Sequence, residues 1–135
     1  MLQLTYISTA TEQVTDRSVD EILATSRLNN AAGGITGLLL YDGRRFLQAL
    51  EGDAALVNAA FHRIKQDRRH KAVVMLSSKD VEERAFGNWA MAAGRASPTA
   101  GGRSIPEQVD ALTQAVADPG MRALFRGFAE VRAAA

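Results

Sequence analysis

The sequence predicts an α+β fold of the ferredoxin-like type, in which a β-α-β-β-α-β order is followed by a fifth strand. Two observations support this prediction. Short runs whose apolar side chains alternate with a period of two are interleaved with two segments whose apolar side chains recur with helical spacing. The pair Asp42-Gly43, typical of a hairpin turn, separates the second and third runs. With 135 residues, 47% of them hydrophobic, the chain suits one domain with a substantial core.

The first strand and the first helix precede residue 35. The opening run to Ser8 alternates, which places Leu4, Tyr6 and Ser8 on one face of a strand and Thr5 and Ile7 on the other. Ser18-Val19-Asp20-Glu21 has the pattern of a capping box and predicts the start of a helix. Gly33-Gly34 predicts its end, because glycine accepts the left-handed conformation that closes a helix. The predicted inner stripe of this helix is Val19, Ile22, Leu23 and Ser26, followed by Asn29 or Asn30.

The same sequence patterns predict the remaining strands and the second helix. Residues 35–41 predict a buried strand, and residues 45–51 predict its return partner, with Phe46, Gln48 and Leu50 on one face. Asp53 can cap the second helix. The inner stripe of that helix is Leu56, Val57, Ala60, Phe61 and Ile64. Residues 71–78 predict the fourth strand, and residues 86–93 the fifth, with Trp89 and Met91 on one face.

The chain divides into a main unit, residues 1–96, and an extension, residues 97–135. A glycine-rich linker at residues 97–102 opens the extension, and two short helices follow it. By the right-handed crossover rule, both main helices cover one face of the sheet. The opposite face, which carries Ile7, Leu47 and Ala49, needs cover from the tail helices or from a partner subunit. The apolar residues that the tail offers are Leu112, Val116, Leu124, Phe125 and Phe128.

The amino-acid composition excludes several classes of partner and chemistry. The formal net charge is +1, with 16 basic and 15 acidic residues interspersed, so a nucleic-acid partner is not expected. The absence of cysteine excludes disulfides and thiol chemistry and suits a reducing compartment. No signal peptide is recognisable, and the longest apolar run is too short to span a bilayer. We therefore expect a soluble cytoplasmic protein without a membrane or metal partner.

Three polar residues are predicted inside the main unit. Tyr6 and Gln48 lie on strands that are central neighbours in this fold, and Asn30 in the last turn of the first helix points into the same space. Taken singly, each could be a satisfied core residue or a helix cap. A buried phenol or amide without a partner costs roughly 1–3 kcal/mol, so three that converge between two helices favour a ligand site. The expected apolar walls are Ile22, Phe46, Phe61 and Ile64.

Five short blocks of the sequence resemble signature segments of the BLUF family, the sensors of blue light using FAD. The blocks are Asn29-Asn30, Gly34–Leu39 (GITGLL), Phe46–Gly52 (FLQALEG), Asp67–His70 (DRRH) and Arg84–Met91 (RAFGNWAM). They occur in the family's order and spacing, and the resemblance covers residues 1 to about 93. The resemblance does not extend to the tail, although short members of the family similarly end in two helices.

The resemblance implies a role for each residue of the site. Tyr6 matches the photoactive tyrosine and Gln48 the switching glutamine, while Asn30 matches the asparagine that binds the flavin ring, with Asn29 beside it. Trp89 and Met91 match two residues of the last strand that exchange places near the glutamine, and which of them faces the flavin stays open. The other matches are pocket positions: Ser8 and Ser26 as small polar groups, and Ile22 and Ile64 as the pair that sandwiches the ring.

Four further basic positions have weaker assignments. Arg63 and Lys65 could meet the FAD phosphates, although a solvated helix face explains them equally well. His70 is interpreted as structural, closing the turn into the fourth strand, and His62 as a surface residue.

The implied function is that of a photoreceptor with no enzymatic activity of its own. An amide can exchange its donor and acceptor ends, so Gln48 can relay the electron and proton that Tyr6 gives up and be left in a new arrangement. The expected output is a change in affinity for an unknown protein partner or in homo-oligomeric assembly. Two alternatives remain: a flavin-using redox enzyme, for which we find no nicotinamide fingerprint, and a ferredoxin-like interaction module without a ligand.

Overall fold

The computed structural model describes residues 1–11, 15–87, 92–95, 105–114, 116 and 118–134. Within them the chain forms five strands and four helices. The strands are β1 (Leu2–Ala10), β2 (Thr36–Tyr41), β3 (Arg45–Gly52), β4 (His70–Asp80) and β5 (Ala92–Arg95). The helices are α1 (Asp16–Gly33), α2 (Ala54–Gln66), α3 (Ile105–Thr113) and α4 (Pro119–Ala134).

The strands form one sheet in the order β4-β1-β3-β2-β5. The first four are antiparallel to their neighbours, and β5 runs parallel to β2. The predicted α+β, ferredoxin-like plan is confirmed, including the central position of β1 and β3. In their register Tyr6 lies directly opposite Gln48.

Helix α1 begins three residues earlier than its sequence pattern indicates. Thr15 is the N-cap, and its hydroxyl accepts a hydrogen bond from the Ser18 backbone N–H at 3.2 Å, while the Ser18 hydroxyl accepts one from the Thr15 N–H. The predicted cap, Ser18, is therefore the reciprocal partner in the first turn, because serine suits either place in a capping box. The predicted end is confirmed: Gly34 is left-handed, with φ of 69°.

Helix α2 is capped as predicted. The Asp53 carboxylate accepts hydrogen bonds from the backbone N–H groups of Ala55 and Leu56, at 3.1 and 3.3 Å. Val57, Ala60 and Phe61 are buried, but Leu56 is 44% exposed. Leu56 therefore does not belong to the inner stripe to which its spacing assigned it, because it lies in the first turn, at the outer end of the helix.

Each face of the sheet carries its own apolar cluster. Side chains of α1 and α2, among them Val19, Leu23 and Val57, pack with the face that contains Tyr6 and Leu50. The other face contributes Leu38, Leu40, Leu47 and Ala49, which pack with residues of the tail. These tail residues include Val109, Val116, Met121, Phe125 and Phe128. The side chain of Leu112 and the linker at residues 97–102 lie outside the described residues.

The segment before β5 differs from its prediction. Residues 85–87 form a bend rather than the start of a strand, because the backbone N–H groups of Ala85 and Phe86 both donate to the buried carboxylate of Glu51, each at 2.9 Å. The ring of Phe86 then packs edge-on against Phe125 in the tail, with centroids 6.2 Å apart. Trp89 and Met91 lie outside the described residues.

No helix in the described part of the chain combines the length and apolar character that a membrane span requires.

Candidate functional site

A cleft of about 170 Å³ lies between α1, α2 and the sheet. Eight of the predicted site residues line it: Tyr6, Ile22, Ser26, Asn29, Asn30, Gln48, Arg63 and Ile64. The strands supply its floor, and the two helices supply its walls.

The floor is a hydrogen-bonded pair from adjacent strands. Tyr6 and Gln48 are directly opposed on β1 and β3, and the Tyr6 hydroxyl donates to Oε1 of Gln48. Both side chains are buried, at 0% and 3% exposure. Burial raises the pKa of the Tyr6 phenol, and the negative charge of Asp67 raises it further. The phenol therefore keeps its proton at neutral pH and acts as the donor of this bond.

The end of α1 brings an amide to the same cleft. Asn30 is 4% exposed, and its backbone carbonyl accepts hydrogen bonds from the N–H groups of Gly34 and Ile35. The glycine turn therefore fixes the position of Asn30, and the exposed Asn29 lies at the cleft's outer edge. Two amides and a phenol supply both donors and acceptors at the cleft, which suits the edge of a heteroaromatic ring.

The walls are aliphatic and come from opposite helices. Ile22 projects from α1 and Ile64 from α2, and both line the cleft. Aliphatic walls with a polar floor suit a planar aromatic ligand that packs between side chains and hydrogen-bonds along one edge.

Six lining residues were not assigned to the cleft from the sequence: Thr25, Leu50, Ala60, Asp67, Arg69 and His70. The last three belong to one turn. The backbone N–H of His70 donates to the Asp67 carbonyl at 3.1 Å and closes this turn. This bond agrees with the structural role predicted for His70. His70 also lines the cleft. The Asp67–His70 block, which resembles a signature segment of the family, was the sequence feature from which these three residues could have been assigned to the cleft.

Charge and burial set the ionisation of this turn. Arg69 forms a two-pronged ion pair with Asp67, at 2.6 Å between Nη2 and Oδ2, and these hydrogen bonds lower the pKa of the Asp67 carboxyl. Burial lowers the pKa of His70. Its Nδ1 lies 2.8 Å from the Ser8 hydroxyl, and its ring lies 4.6 Å from that of Phe46.

Four predicted site residues do not line the cleft. Ser8 and Phe46 lie behind His70, and the ring of Phe61 supports that of Tyr6 at 5.5 Å between centroids. The Lys65 ammonium lies 5.0 Å from the centroid of the Phe61 ring, and Lys65 does not line the cleft, so its position does not support the predicted contact with phosphates.

Fold and site together define an α+β domain with a cleft between two helices, over a phenol–amide pair, whose lining suits a planar heteroaromatic ligand. The sequence model of the BLUF family, "Sensors of blue-light using FAD", matches residues 1–92. The chain belongs to the BLUF family.

Relatives and solved structures agree with this membership. The chain is 35% identical over 88 residues to the photoactivated adenylate cyclase subunit alpha of Euglena gracilis, a match that covers 65% of this chain and 9% of that protein. It is 39% identical over 83 residues to the subunit beta of Euglena longa, covering 62% of this chain and 10% of that protein. The chain thus spans about a tenth of the length of these relatives. The dark-state structure of BlrB, a BLUF protein, superposes with a TM-score of 0.72 at 25% identity, covering 96% of each chain.

Family membership confirms two predictions made from the sequence. The BLUF domain is a blue-light sensor, and its cofactor is FAD. The residues that line the cleft suit this cofactor, since they offer aliphatic walls to the flavin ring and amide and hydroxyl groups to its polar edge.

Proposed function

We propose that the chain signals blue light through the hydrogen bond between Tyr6 and Gln48, with Asn30 and Asn29 holding the flavin ring above it. The observation that carries the proposal is the direct donation from the buried phenol to the amide oxygen. When bound and excited, oxidised flavin is a strong one-electron oxidant. Tyr6 is the donor in this scheme, since a phenol can give both an electron and a proton.

Gln48 is the switch in this proposal. Its amide presents an acceptor at one end and a donor at the other, so turning it over or tautomerising it changes what Tyr6 and the ring each receive. Gln48 is 3% exposed, so its amide exchanges partners with Tyr6 and the flavin ring rather than with bulk water. One or two rearranged hydrogen bonds correspond to roughly 1–3 kcal/mol, which is the size of an ordinary allosteric coupling.

The other site residues support these two. Ile22 and Ile64 sandwich the ring, and Ser26 adds a small polar group at the α1 wall. Trp89 and Met91 exchange places near Gln48 in this scheme, as the family resemblance implies.

The output is a change in affinity for a protein partner, or in the assembly of a homo-oligomer, rather than turnover of a substrate. The photosensory unit is residues 1–96, and residues 97–135 form the extension through which it acts. Tail residues such as Phe125 pack on the reverse of the sheet, which supports this route. The protein acts in the cytoplasm, without a nucleic-acid or membrane partner.

Absorption spectroscopy tests the proposal. Blue light should produce a reversible red shift of the flavin spectrum in the wild-type chain with FAD, and Gln48→Leu should abolish it while still binding FAD. Gln66→Leu is the matched control, since Gln66 is exposed on α2 and bonds to His62. A protein that binds no flavin, or a red shift that survives Gln48→Leu, would contradict the proposal. Reduction by a nicotinamide donor would instead favour a redox enzyme.

A further inference from the structure

An apolar groove of about 350 Å³ lies on the reverse face of the sheet, between α4 and the edge strand β4. We call it the reverse groove. Leu76 is 44% exposed at its rim, and Val74 on the same strand is 53% exposed. At Gly127 no described atom lies within 4 Å of the place of an added Cβ, so the groove is open along α4. A continuous apolar surface of this kind marks an interaction site. Its apolar lining includes Ile7, Leu47, Leu76, Leu124 and Phe128.

The edge strand β4 is not suited to pair with an added strand. Its pairing with β1 shifts register between Thr5 and Tyr6 and again between Ile7 and Thr9. Ala72 in the same strand has a positive φ of 52°. Bulges interrupt the row of backbone groups with which an added strand would form hydrogen bonds. The reverse groove therefore suits a helix that packs through its side chains.

One end of the reverse groove is basic. Arg45 of β3 and Lys71 of β4 are both paired with Thr9 of β1, so the three residues form one row on the reverse face. Asp42 forms an ion pair with Arg45 at 3.4 Å, so the exposed Lys71 leaves this end with a net positive charge. A helix that docks here should carry an apolar side chain for the groove and a carboxylate for this end.

The outer face of α1 has both properties. Glu21, Ala24, Leu28 and Ala31 recur at intervals of three and four residues, so they lie on one side of the helix, and all four are exposed. We call this face the α1 stripe. Leu28 is 75% exposed, the highest value among the large hydrophobic residues that the structure describes. Glu21 pairs with Arg17 at 3.6 Å, a solvated pair that leaves the carboxylate accessible.

We propose that the α1 stripe of one copy of the chain docks in the reverse groove of a second copy. Leu28 then packs against Leu76 and Leu124, and Glu21 approaches Lys71. Glu21 is roughly 10 Å from Leu28 along the helix, and Lys71 is roughly 16 Å from Leu76 along β4. The long side chains of glutamate and lysine span the difference.

The two surfaces lie on opposite faces of the sheet, because α1 packs on the face that contains Tyr6. The contact is therefore head-to-tail, and a copy that uses its α1 stripe still has a free reverse groove. Such a contact builds rings or chains of copies. A single helix in one groove makes a small interface, so we expect association in the micromolar range.

This inference rests on the proposed function for its response to light, since it names the surfaces of the homo-oligomer whose assembly is one proposed output. The inner face of α1 lines the flavin cleft through Ile22 and Asn30. The helix that docks is thus also a wall of the cleft, which links assembly to the cofactor.

Sedimentation velocity of the flavin-loaded full chain in the dark tests the inference. The wild-type chain should associate increasingly with concentration, and Leu28→Asp and Leu76→Asp should each weaken this association tenfold or more. An equimolar mixture of the two variants should form a one-to-one complex and nothing larger, because one variant keeps its reverse groove and the other its α1 stripe. Complex formation in the mixture also shows that both variants fold.

Met75→Asp is the matched control. Met75 is 50% exposed and adjoins Leu76 on β4, but it is paired with Tyr6 and so lies on the other face of the sheet. Its variant should associate as the wild type does.

A charge exchange tests the predicted orientation. Glu21→Lys and Lys71→Glu should each weaken association roughly threefold or more, and the double variant should recover the wild-type value. Two singles that weaken association without recovery in the double variant would contradict this orientation.

Three results would overturn the inference. The first is a wild-type chain that stays monomeric up to about 100 μM. The second is a mixture of Leu28→Asp and Leu76→Asp that does not associate although the wild type does. The third is an equal loss in Met75→Asp and Leu76→Asp. Binding of a monomeric wild-type chain to phosphatidylglycerol vesicles that is lost in Leu76→Asp would assign the groove to a membrane surface instead.

Failure of the proposed function is recognised separately. The blue-light red shift is measured on the Leu28→Asp variant, which does not need to assemble, and its absence there and in the wild type would refute the sensing scheme. Association that depends on Leu28 and Leu76 but is equal in dark and light would refute assembly as the output and leave the docking surfaces in place.

Discussion

The hydroxyl of Tyr6 donates a hydrogen bond to the side-chain oxygen of Gln48, and the two residues face each other directly across strands β1 and β3. The relationship depends on register, because a slip of one residue would turn either side chain to the opposite face. The eight pairs from Leu2–Gly52 to Thr9–Arg45 hold that register along β1 and β3. The sheet therefore positions the phenol and the amide before any cofactor is bound.

Replacing Tyr6 with phenylalanine should separate cofactor binding from light sensing. Tyr6→Phe keeps the ring that packs on Phe61 but removes the electron and proton donor, so FAD should still bind while the red shift is lost. Stability should fall by about 1–2 kcal/mol, because the Gln48 oxygen loses its buried donor. Absorption under blue light and chemical denaturation measure the two effects.

Tyr41→Phe is the control, since Tyr41 is the second of the two tyrosines and stacks on Phe46 at 4.7 Å. The light-induced red shift of the flavin spectrum in Tyr41→Phe should equal that of the wild-type chain. A photocycle that survives in Tyr6→Phe, or one that is lost equally in both variants, would remove Tyr6 from the donor role.

The sequence predicted the cleft well where side-chain periodicity alone determines position. Strand alternation places Tyr6 and Gln48 on one face, and the paired glycines at the end of α1 place Asn30 in the last turn of that helix. Both are local patterns that tertiary packing did not override. Predicting the ligand required the family resemblance, because three buried polar groups do not by themselves identify one cofactor.

One error, the strand predicted from residue 86, follows from hydrogen bonds to a partner that is distant in sequence. Residues 85–87 have a strand-like pattern, yet they bend because Glu51, remote in sequence, accepts from their backbone. The bond of His70 with Ser8 joins residues 62 positions apart, and the spacing of residues in the sequence does not show it. Leu56 fits the helical stripe by spacing, but spacing does not show where the helix emerges from the core.

Glu51 should be among the costliest residues to replace. Its carboxylate is fully buried and accepts from Gln3, from the Thr36 hydroxyl and from two backbone N–H groups of the bend. Glu51→Ala leaves these donors without a partner and should lower the free energy of unfolding by about 3–5 kcal/mol. Glu51→Gln, which keeps one acceptor oxygen, should cost less.

Chemical denaturation of the variants with Glu21→Ala as control measures this effect. Glu21 lies on the exposed face of α1 and pairs with Arg17 at 3.6 Å, so its loss should change stability by less than about 0.5 kcal/mol. Equal stability of Glu51→Ala and Glu21→Ala would contradict the anchoring role of Glu51.

Two glycines should respond to alanine with opposite signs. A Cβ atom at Gly37 in β2 would lie 2.1 Å from the backbone carbonyl oxygen of Ala49 in β3, where neither central strand can move aside. Gly37→Ala should therefore destabilise the protein by about 2–3 kcal/mol. At Gly127 in α4 nothing lies within 4 Å of the added atom, and Gly127→Ala should stabilise by about 0.5–1 kcal/mol. Melting temperatures that shift in the same direction for both variants would contradict this explanation.

His70 should make the stability of the flavin-free protein depend on pH. Burial lowers the pKa of its imidazole, the charge of Arg69 adds to this effect, and the charge of Asp67 opposes it. Below the ordinary histidine pKa of about 6.5, the unfolded chain binds a proton at residue 70 that the folded chain does not. The free energy of unfolding should therefore fall as the pH is lowered from about 6.5 toward the folded pKa, and level off below it.

Denaturation between pH 7.5 and pH 5 tests this, with His62→Gln as the matched control. His62 is exposed on α2, so its variant should retain the wild-type dependence on pH. His70→Gln should lose stability at every pH, because its bond with Ser8 and its packing on Phe46 change, but the curve should be flatter across this range. Asp67 contributes little to the slope here, because its lowered carboxyl pKa places its titration at more acidic pH. A wild-type slope that persists in His70→Gln and disappears in His62→Gln would assign the effect to the surface histidine instead.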